Sequence, residues 1–541
     1  MLVFLVFCCR FAVAQSAFEP LRVTHDKPFY LTGETVYFTV WFTGNVAPVS
    51  EIVHFEIVNA AGKIIDRQKI KRENGTAAAG YFLPVEMTAG NYAFRFYTLQ
   101  NLNFSGQNYT ETVLPIYSSL TPPELIAEVG ANGKKENAEV RKTIFTAPNR
   151  IFKRSEKVDL QLDFGTDKTV DYSVTVLDEN WLPADYSTFE KQEKKAEDKE
   201  AGETIYAPEK ELTYRLHLKN SEDGTPFNSD YILISRPDRK IFQKAAAIDG
   251  TVEFSLPVFT GQNEIQVHNL NPYLPFLPEV SEVFPVFPPA TLPALPPADS
   301  VISAYFHKTQ KVRKLRELYA TALPDTQDTA TPTVENLPIP FKTYRIADYE
   351  GLKNLEEFIE NIIVTARLKG KPGEKTVRLF DEDKNHRYLN APVYFINGYL
   401  SGNESEILQI PLSQIETVEI FTTRKSITSG FPQFMLGMGV ISVTTRTDEV
   451  PRSITNTFNI LQVKGVSATA DALGFAAPID ESVPLFRPII YHNGNKRSDE
   501  NGRASVEFYP TSAVGRYVVR VDYLDENGSL WREEKVIEVQ R

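Results

Sequence analysis

Residues 391–446 read APVYFINGYLSGNESEILQIPLSQIETVEIFTTRKSITSGFPQFMLGMGVISVTTR. Three short runs stand out in it: VYFING, ETVEIFTT and GVISVTTR. Each is rich in β-branched or aromatic residues and is bounded by Gly, Asn or Ser, which is how short strands read. Between the first two lies Pro411-Leu412-Ser413-Gln414-Ile415-Glu416, a turn or short helix delivering the chain into Val418.

This stretch resembles the plug domain of TonB-dependent outer-membrane receptors. The resemblance rests on Phe395-Ile396-Asn397-Gly398, on Pro411 followed by Ile415-Glu416-Thr417-Val418-Glu419-Ile420, and on Gly439-Val440-Ile441-Ser442-Val443-Thr444-Thr445. It identifies a domain type and no ligand. A receptor of that family needs a barrel of many alternating strands after the plug. The residues after Arg446 read instead as a soluble domain, so the expectation is a plug-like module reused without its own barrel.

The flanks read as β-sandwiches. Val36-Tyr37-Phe38-Thr39-Val40-Trp41-Phe42, His54–Val58 and Asn91–Tyr97 are alternating strands separated by Gly, Asn and Pro. The opening THDKPFYLTGETVYFTVWF resembles the macroglobulin-like domain of the α2-macroglobulin family through Asp26-Lys27-Pro28, Tyr30, Gly33-Glu34 and Val36, with Thr32 where the family has Pro. Those residues are expected to be structural, Gly33 for the turn and Val36, Phe38 and Val40 for one sheet face. Asp171–Asp178 resembles a strand of a following macroglobulin-like domain, and Phe486–Val539 a C-terminal domain found beside such segments in exported Bacteroidetes proteins. Two Asp-Glu-Asn-Gly turns, Asp499–Gly502 and Asp525–Gly528, divide that tail into strands, and Asp249-Gly250 reads as a hairpin turn.

The expected fold is therefore mainly β: tandem macroglobulin- and Ig-like β-sandwiches plus a small α+β plug-like domain. The boundaries read as a signal peptide over 1–14, a macroglobulin-like sandwich over 15–120, a second such segment over 121–185 and a charged linker over 186–210. An Ig-like sandwich over 211–285, a Pro-rich linker with a helix over 286–340, the plug-like domain over 341–447 and a C-terminal sandwich over 448–541 follow. Whether the last is completed by strands from before the plug is left open by the sequence. Amphipathic helices are expected at Val301–Leu318 and, from Leu352, Leu355, Phe358, Ile359 and Ile362, across Tyr349–Leu368.

The chain has 541 residues, 42% of them hydrophobic and 24% charged, enough for several packed domains. A net charge of −12 argues against nucleic acid as a partner, since phosphate binding is mostly electrostatic. MLVFLVFCCRFAVAQ reads as a secretory signal cut before Gln15, which places the protein in the periplasm or at the outer membrane. Cys8 and Cys9 are the only cysteines, so the mature chain has no disulfide, thiolate ligand or cysteine nucleophile. No later run reaches the ~18–20 apolar residues of a membrane helix.

Active-site signatures are missing: no Gly-x-Ser-x-Gly, no phosphate loop, no His-Glu-x-x-His, no Gly-x-Gly-x-x-Gly and no thioester Cys-Gly-Glu-Gln. Asp381–Asn385 begins like a calcium loop, but His386 stands where Gly is needed and Pro392 where the bidentate Glu belongs, so a polar turn is expected. His217 and His268 sit in strand-like runs and read as structural. No catalytic, cofactor-binding or metal-binding residue is assigned, and no cofactor. The expected function is a non-enzymatic exported envelope protein, a binding scaffold whose partners are proteins or carbohydrates of the envelope, an outer-membrane barrel and its uptake system among them. The alternative is a non-covalent protease-interacting macroglobulin relative with a bait loop at 322–340 or 186–210; an enzyme with an unrecognised site is a third, remoter reading.

Overall fold

The computed structural model describes residues 18–43, 50–104, 108–124, 143–146, 151–154, 156–183, 186, 206–226, 230–235, 241–246, 249–269, 276–282, 284–285, 287, 291–318, 339–371, 375–402, 404–431, 433–447, 459–467, 486–510 and 513–541. They are mainly β and form two compact units, Met1–Glu211 with Val286–Thr329 and Val466–Arg541, and Leu212–Pro285 with Ala330–Gly465.

The first unit opens with a sandwich of β1 (Leu21–His25), β2 (Tyr30–Leu31), β3 (Thr35–Phe42), β4 (Ile52–Val58), β5 (Ile64–Lys71), β6 (Thr76–Phe82), β7 (Gly90–Tyr97) and β8 (Thr110–Tyr117). One sheet runs β1-β3-β6, the other β2-β8-β7-β4-β5. Val36, Phe38 and Val40 point into a core with Phe55, Tyr81, Phe94 and Phe96, as strand alternation requires. The other face of β3 is buried too, at Thr39 and Trp41. Gly33 sits at φ +85°, a backbone region that favours glycine, and its N–H reaches Leu83 O at 2.7 Å. Three further strands follow, β9 (Ile151–Lys153), β10 (Val158–Asp163) and β11 (Asp171–Asp178), and they do not close a sandwich by themselves.

The second unit holds a sandwich of β12 (Leu212–Asn220), β13 (Asp230–Ser235), β14 (Ile241–Ala246), β15 (Thr251–Leu256), β16 (Gln262–Asn269) and β17 (Phe276–Glu282). Asp249 and Gly250 have the positive φ values of a hairpin turn, 50° and 72°. Yet β14 pairs with β13 and β15 with β12, so the turn carries the chain from one sheet to the other and no hairpin forms there. The chain next supplies the helix α1 (Ser300–Leu318), which belongs to the first unit.

Residues 339–447 build an α+β module. Its sheet combines β18 (Lys342–Arg345), β22 (Val393–Ile396), β23 (Tyr399–Ser401), β24 (Ile415–Phe421) and β25 (Val440–Thr445) in the order β18-β24-β25-β22-β23. A smaller sheet of β19 (Ala366–Lys369), β20 (Thr376–Asp381) and β21 (His386–Arg387) covers one side together with α2 (Leu355–Asn361) and α3 (Glu404–Leu408), through Phe358, Ile359, Val377, Leu379 and Ile407. On the other side α4 (Arg424–Thr428) brings Ile427 against Phe395, Phe421 and Val440. The long helix expected over Tyr349–Leu368 is only seven residues, α2. Asn354 caps it by accepting from Glu357 N, and the β-branched run Ile362-Ile363-Val364-Thr365 ends it and leads into β19. After the module, β26 (Asn459–Lys464) adds to β16, giving the host sandwich sheets β15-β12-β17 and β14-β13-β16-β26.

The chain ends in β27 (Ile489–Arg497), β28 (Arg503–Phe508), β29 (Gly515–Leu524) and β30 (Leu530–Gln540). They close the second sandwich of the first unit with the strands left waiting, as sheets β27-β11-β29-β30-β9 and β10-β28. Strands from 151–178 and from 489–540, which read as separate segments in the sequence, thus supply one core containing Val158, Leu160, Val174, Val176, Val506, Tyr517 and Val519, while β26 of the expected 448–541 segment joins the host sandwich instead. Asp178 N donates to Pro488 O at 3.0 Å, so the two ends of the intervening chain lie side by side. Such a junction accepts inserted chain without strain. No helix among the described residues is long and apolar enough to cross a membrane.

Candidate functional site

The Asp26–Glu34 turn gathers a buried polar cluster. Lys27 Nζ donates to Glu34 Oε2 at 2.7 Å and to the Tyr305 hydroxyl at 2.9 Å, and that hydroxyl donates to Glu34 Oε1 at 2.6 Å. Tyr305 comes from α1, whose start is capped by Asp299 accepting from Ile302 N at 2.8 Å. The helix packs Ile302, Tyr305, Phe306 and Val312 onto Phe29, Leu31, Trp181 and Leu182. Burial and the Glu34 carboxylate hold the Tyr305 hydroxyl far above its ordinary range, so it is a neutral donor. Tyr30 OH and Tyr37 N both donate to Asp26 Oδ1, at 2.6 and 2.8 Å, while Oδ2 is buried without a partner among the described residues. Burial pushes the Asp26 carboxyl up to about 6, against the opposing pull of Lys27 and the two hydrogen bonds.

A seam joins the two sandwiches of this unit. Arg520 Nη1 donates to Asp26 O at 3.2 Å, Gly75 N to Asp171 Oδ2 at 3.1 Å, and Thr76 Oγ1 to Asn495 Oδ1 at 2.7 Å. Gly494 lets β27 approach the first sandwich closely; a Cβ there would lie 2.3 Å from Ala78 Cβ. Beside it the His492 ring lies 5.0 Å from the Tyr37 ring, and its Nδ1 meets Thr175 Oγ1 at 3.0 Å.

A second ionisable layer covers the outer face of β4, β7 and β5. His54 Nε2 meets Glu209 Oε2 at 2.5 Å and stacks on Tyr97; Glu56 pairs with Arg67 and Arg95 with Glu111. These contacts anchor the segment around Glu209 on the first sandwich.

The α+β module is pinned to its host sandwich through β23. Leu400 N donates to Gln266 Oε1 at 3.2 Å and Tyr399 OH to Glu264 Oε2 at 3.0 Å. The Asn397-Gly398 turn has φ values of 50° and 82°, and Asn397 clasps β25: its Nδ2 donates to Thr445 Oγ1 at 2.6 Å and its Oδ1 accepts from Thr445 N at 2.8 Å. The same module holds large apolar side chains in water, with Val364 93% exposed, Leu389 88%, Ile339 59% and Phe341 38%. Val364 borders a shallow groove of about 300 Å³ between Glu360, Asn361, Ile362, Arg367 and Leu368.

The residues singled out in the sequence fall as follows. Asp381 Oδ1 accepts from Asp383 N and Lys384 N, so its carboxylate is taken up by the turn between β20 and β21. Among the described residues no group of three or more His, Cys, Asp and Glu is placed to hold a metal ion. His217 lies in β12 between Ser281 and Thr251, and His268 in β16, where burial lowers its imidazole to about 4. Residues 1–14, expected as a signal segment, with Cys8 and Cys9, lie outside the described residues, as does most of both candidate loops. Tyr305 and His492, which complete the polar cluster and the seam, were not read from the sequence.

No family model matches the chain, and neither does any curated protein. Among solved structures, Salmonella alpha-2-macroglobulin reacted with methylamine aligns at 9% identity over 97% of this chain and 40% of its own, with a TM-score of 0.24. The native conformation of E. coli alpha-2-macroglobulin aligns at 11% identity over 97% of this chain and 40% of its own, with a TM-score of 0.24. Clostridium thermocellum CbhA fibronectin(III)-like modules align at 13% identity over 48% of this chain and 91% of theirs, with a TM-score of 0.12. The chain thus spans less than half the length of those macroglobulins.

Proposed function

We propose that this chain is a non-enzymatic, exported binding scaffold of the bacterial cell envelope. In this reading the sandwiches are macroglobulin-like supports, and the plug-like module is reused as a binding head without a barrel of its own. The observation that carries it is the outward placement of Val364 and Leu389, 93% and 88% exposed, on a module held to its host by Gln266 and Glu264. Large apolar side chains kept in water give a protein partner apolar surface to bury, which favours association. The ionisable clusters fit this reading as well: Lys27, His54 and Arg520 are buried, so they serve packing rather than turnover. The N-terminal signal-like segment supports export.

The test is co-purification from solubilised bacterial envelope, using the full chain and the variants Val364→Glu and Leu389→Glu. Partners retained by the parent chain and lost by a folded variant support the binding head. Identical partners, or none, for all three contradict it.

A further inference from the structure

Each sandwich of the first unit has its own extensive apolar core. The seam between them holds a small apolar cluster, Leu177, Ile489 and Val518 with Tyr37 and Val536, beside its polar contacts. At one end the α1 cluster also packs Phe29 and Leu31 with Trp181 and Leu182. A joint with less buried apolar surface than the cores it connects opens before them.

His492 sits in this joint, 3% exposed. Tyr37 of β3 covers one face of its ring, and Thr175 of β11 occupies Nδ1. Nε2 is buried and has no hydrogen-bond partner among the described residues. A neutral imidazole needs one donor and one acceptor, so one unmet nitrogen is a tolerable cost; an imidazolium would bury an N–H with nothing to receive it. The charged neighbours do not compensate. Asp522 of β29 is the carboxylate nearest in effect, but it is already held by Arg532 of β30 at 2.6 and 2.8 Å. Arg520 of β29 is spent on Glu534 and on Asp26 O. Arg487 lies near enough to act on Tyr37, and Arg497 pairs with Asp171. Among the described residues the Asp26 carboxylate is bonded by Tyr30 and Tyr37 of its own sandwich, so it stays held when the seam parts.

We propose that this seam is an acid-sensitive joint, in which protonation of His492 releases the second sandwich from the first. Burial lowers the imidazole to about 4 in the closed seam, against an ordinary value of 6.5. Opening returns it to water. Since the open form binds the proton and the closed form does not, acid favours opening from about pH 6.5 downward, by about tenfold per pH unit until pH 4.

Hydrogen exchange of the full chain, corrected for intrinsic pH dependence, reads this directly. The Gly75 amide, whose acceptor Asp171 lies across the seam, loses protection by about tenfold per pH unit below 6.5, while the ladder amides of β3, β4 and β29 keep theirs. His492→Phe keeps a ring against Tyr37 and removes the His492 share of the loss, leaving the share that the buried His25 of β1 adds over the same range; Asp26→Asn leaves both in place. Should His492→Phe fail to fold, the imidazole resonances of the unmodified chain decide: His492 titrating near 4 with β27 amides shifting in step supports the joint. Equal pH dependence in the parent and His492→Phe, or His492 titrating near 6.5 with the seam unchanged, overturns it.

Discussion

The Tyr305 hydroxyl donates to Glu34 Oε1 at 2.6 Å while accepting from Lys27 Nζ at 2.9 Å, across 271 and 278 positions of sequence. One phenol therefore completes a buried cation–carboxylate pair and fixes α1 to the first sandwich. Tyr305→Phe removes that bridge and leaves Lys27 and Glu34 buried with one partner fewer each. The expected loss is about 1.5–3 kcal/mol in chemical denaturation, the range for hydrogen bonds to charged groups.

Gly494 carries the close approach of the seam. Gly494→Ala would set a Cβ 2.3 Å from Ala78 Cβ and 2.7 Å from Thr39 Oγ1. Overpacking of this kind costs about 1–3 kcal/mol, and β27 must shift to relieve it. Gly402→Ala, where a Cβ meets nothing within 4 Å, is the matched control and is expected to stay within about 0.5 kcal/mol. Thermal melts of the two variants compare them directly.

Asn397, just after β22, clasps β25 through Thr445. Asn397→Ala loses both bonds to Thr445 and places a Cβ-bearing residue without Asn's local bonding at φ 50°. A cost of about 2–4 kcal/mol is expected, confined to the second unit, from two buried hydrogen bonds and the left-handed backbone. Proteolysis of 339–447 in the variant, with the first unit intact, would be the readout.

Asp26 and His25 impose opposite pH dependences on the first unit. The Asp26 carboxyl is raised from 3.8 to about 6, so the folded state binds the extra proton; this contribution is full below 3.8 and lost as pH rises through 6. His25 is lowered from 6.5 to about 3 by burial and then by Arg532, so its contribution is present above 6.5 and lost as pH falls toward 3. Asp26→Asn keeps an acceptor for Tyr30 and Tyr37 and removes the first dependence. Its stability relative to the parent should rise between pH 4 and 6.5, in denaturation measured across that window.

Much of the fold was legible because strand alternation is local. Val36–Phe42 and Gly515–Tyr523 announce themselves by period and by the Gly and Asn residues that bound them. Long-range assembly is not local, and nothing in Asp171–Asp178 says that its partners begin at Ile489. The Tyr349–Leu368 helix was overextended because apolar spacing outweighed the cap at Asn354 and the β-branched run after Asn361. Tyr305 lies too far from the Asp26–Glu34 motif for any pattern to connect them. Gly494 did carry a signal, since glycine inside a strand marks a close backbone approach.

The most direct measurement is quantitative co-purification of envelope proteins with the full chain and with a Val364→Glu, Leu389→Glu double variant of matched melting temperature. A binding head on a rigid scaffold predicts partners bound by the parent and lost by the variant. The same partners in equal yield with both chains, or none with either, would contradict it.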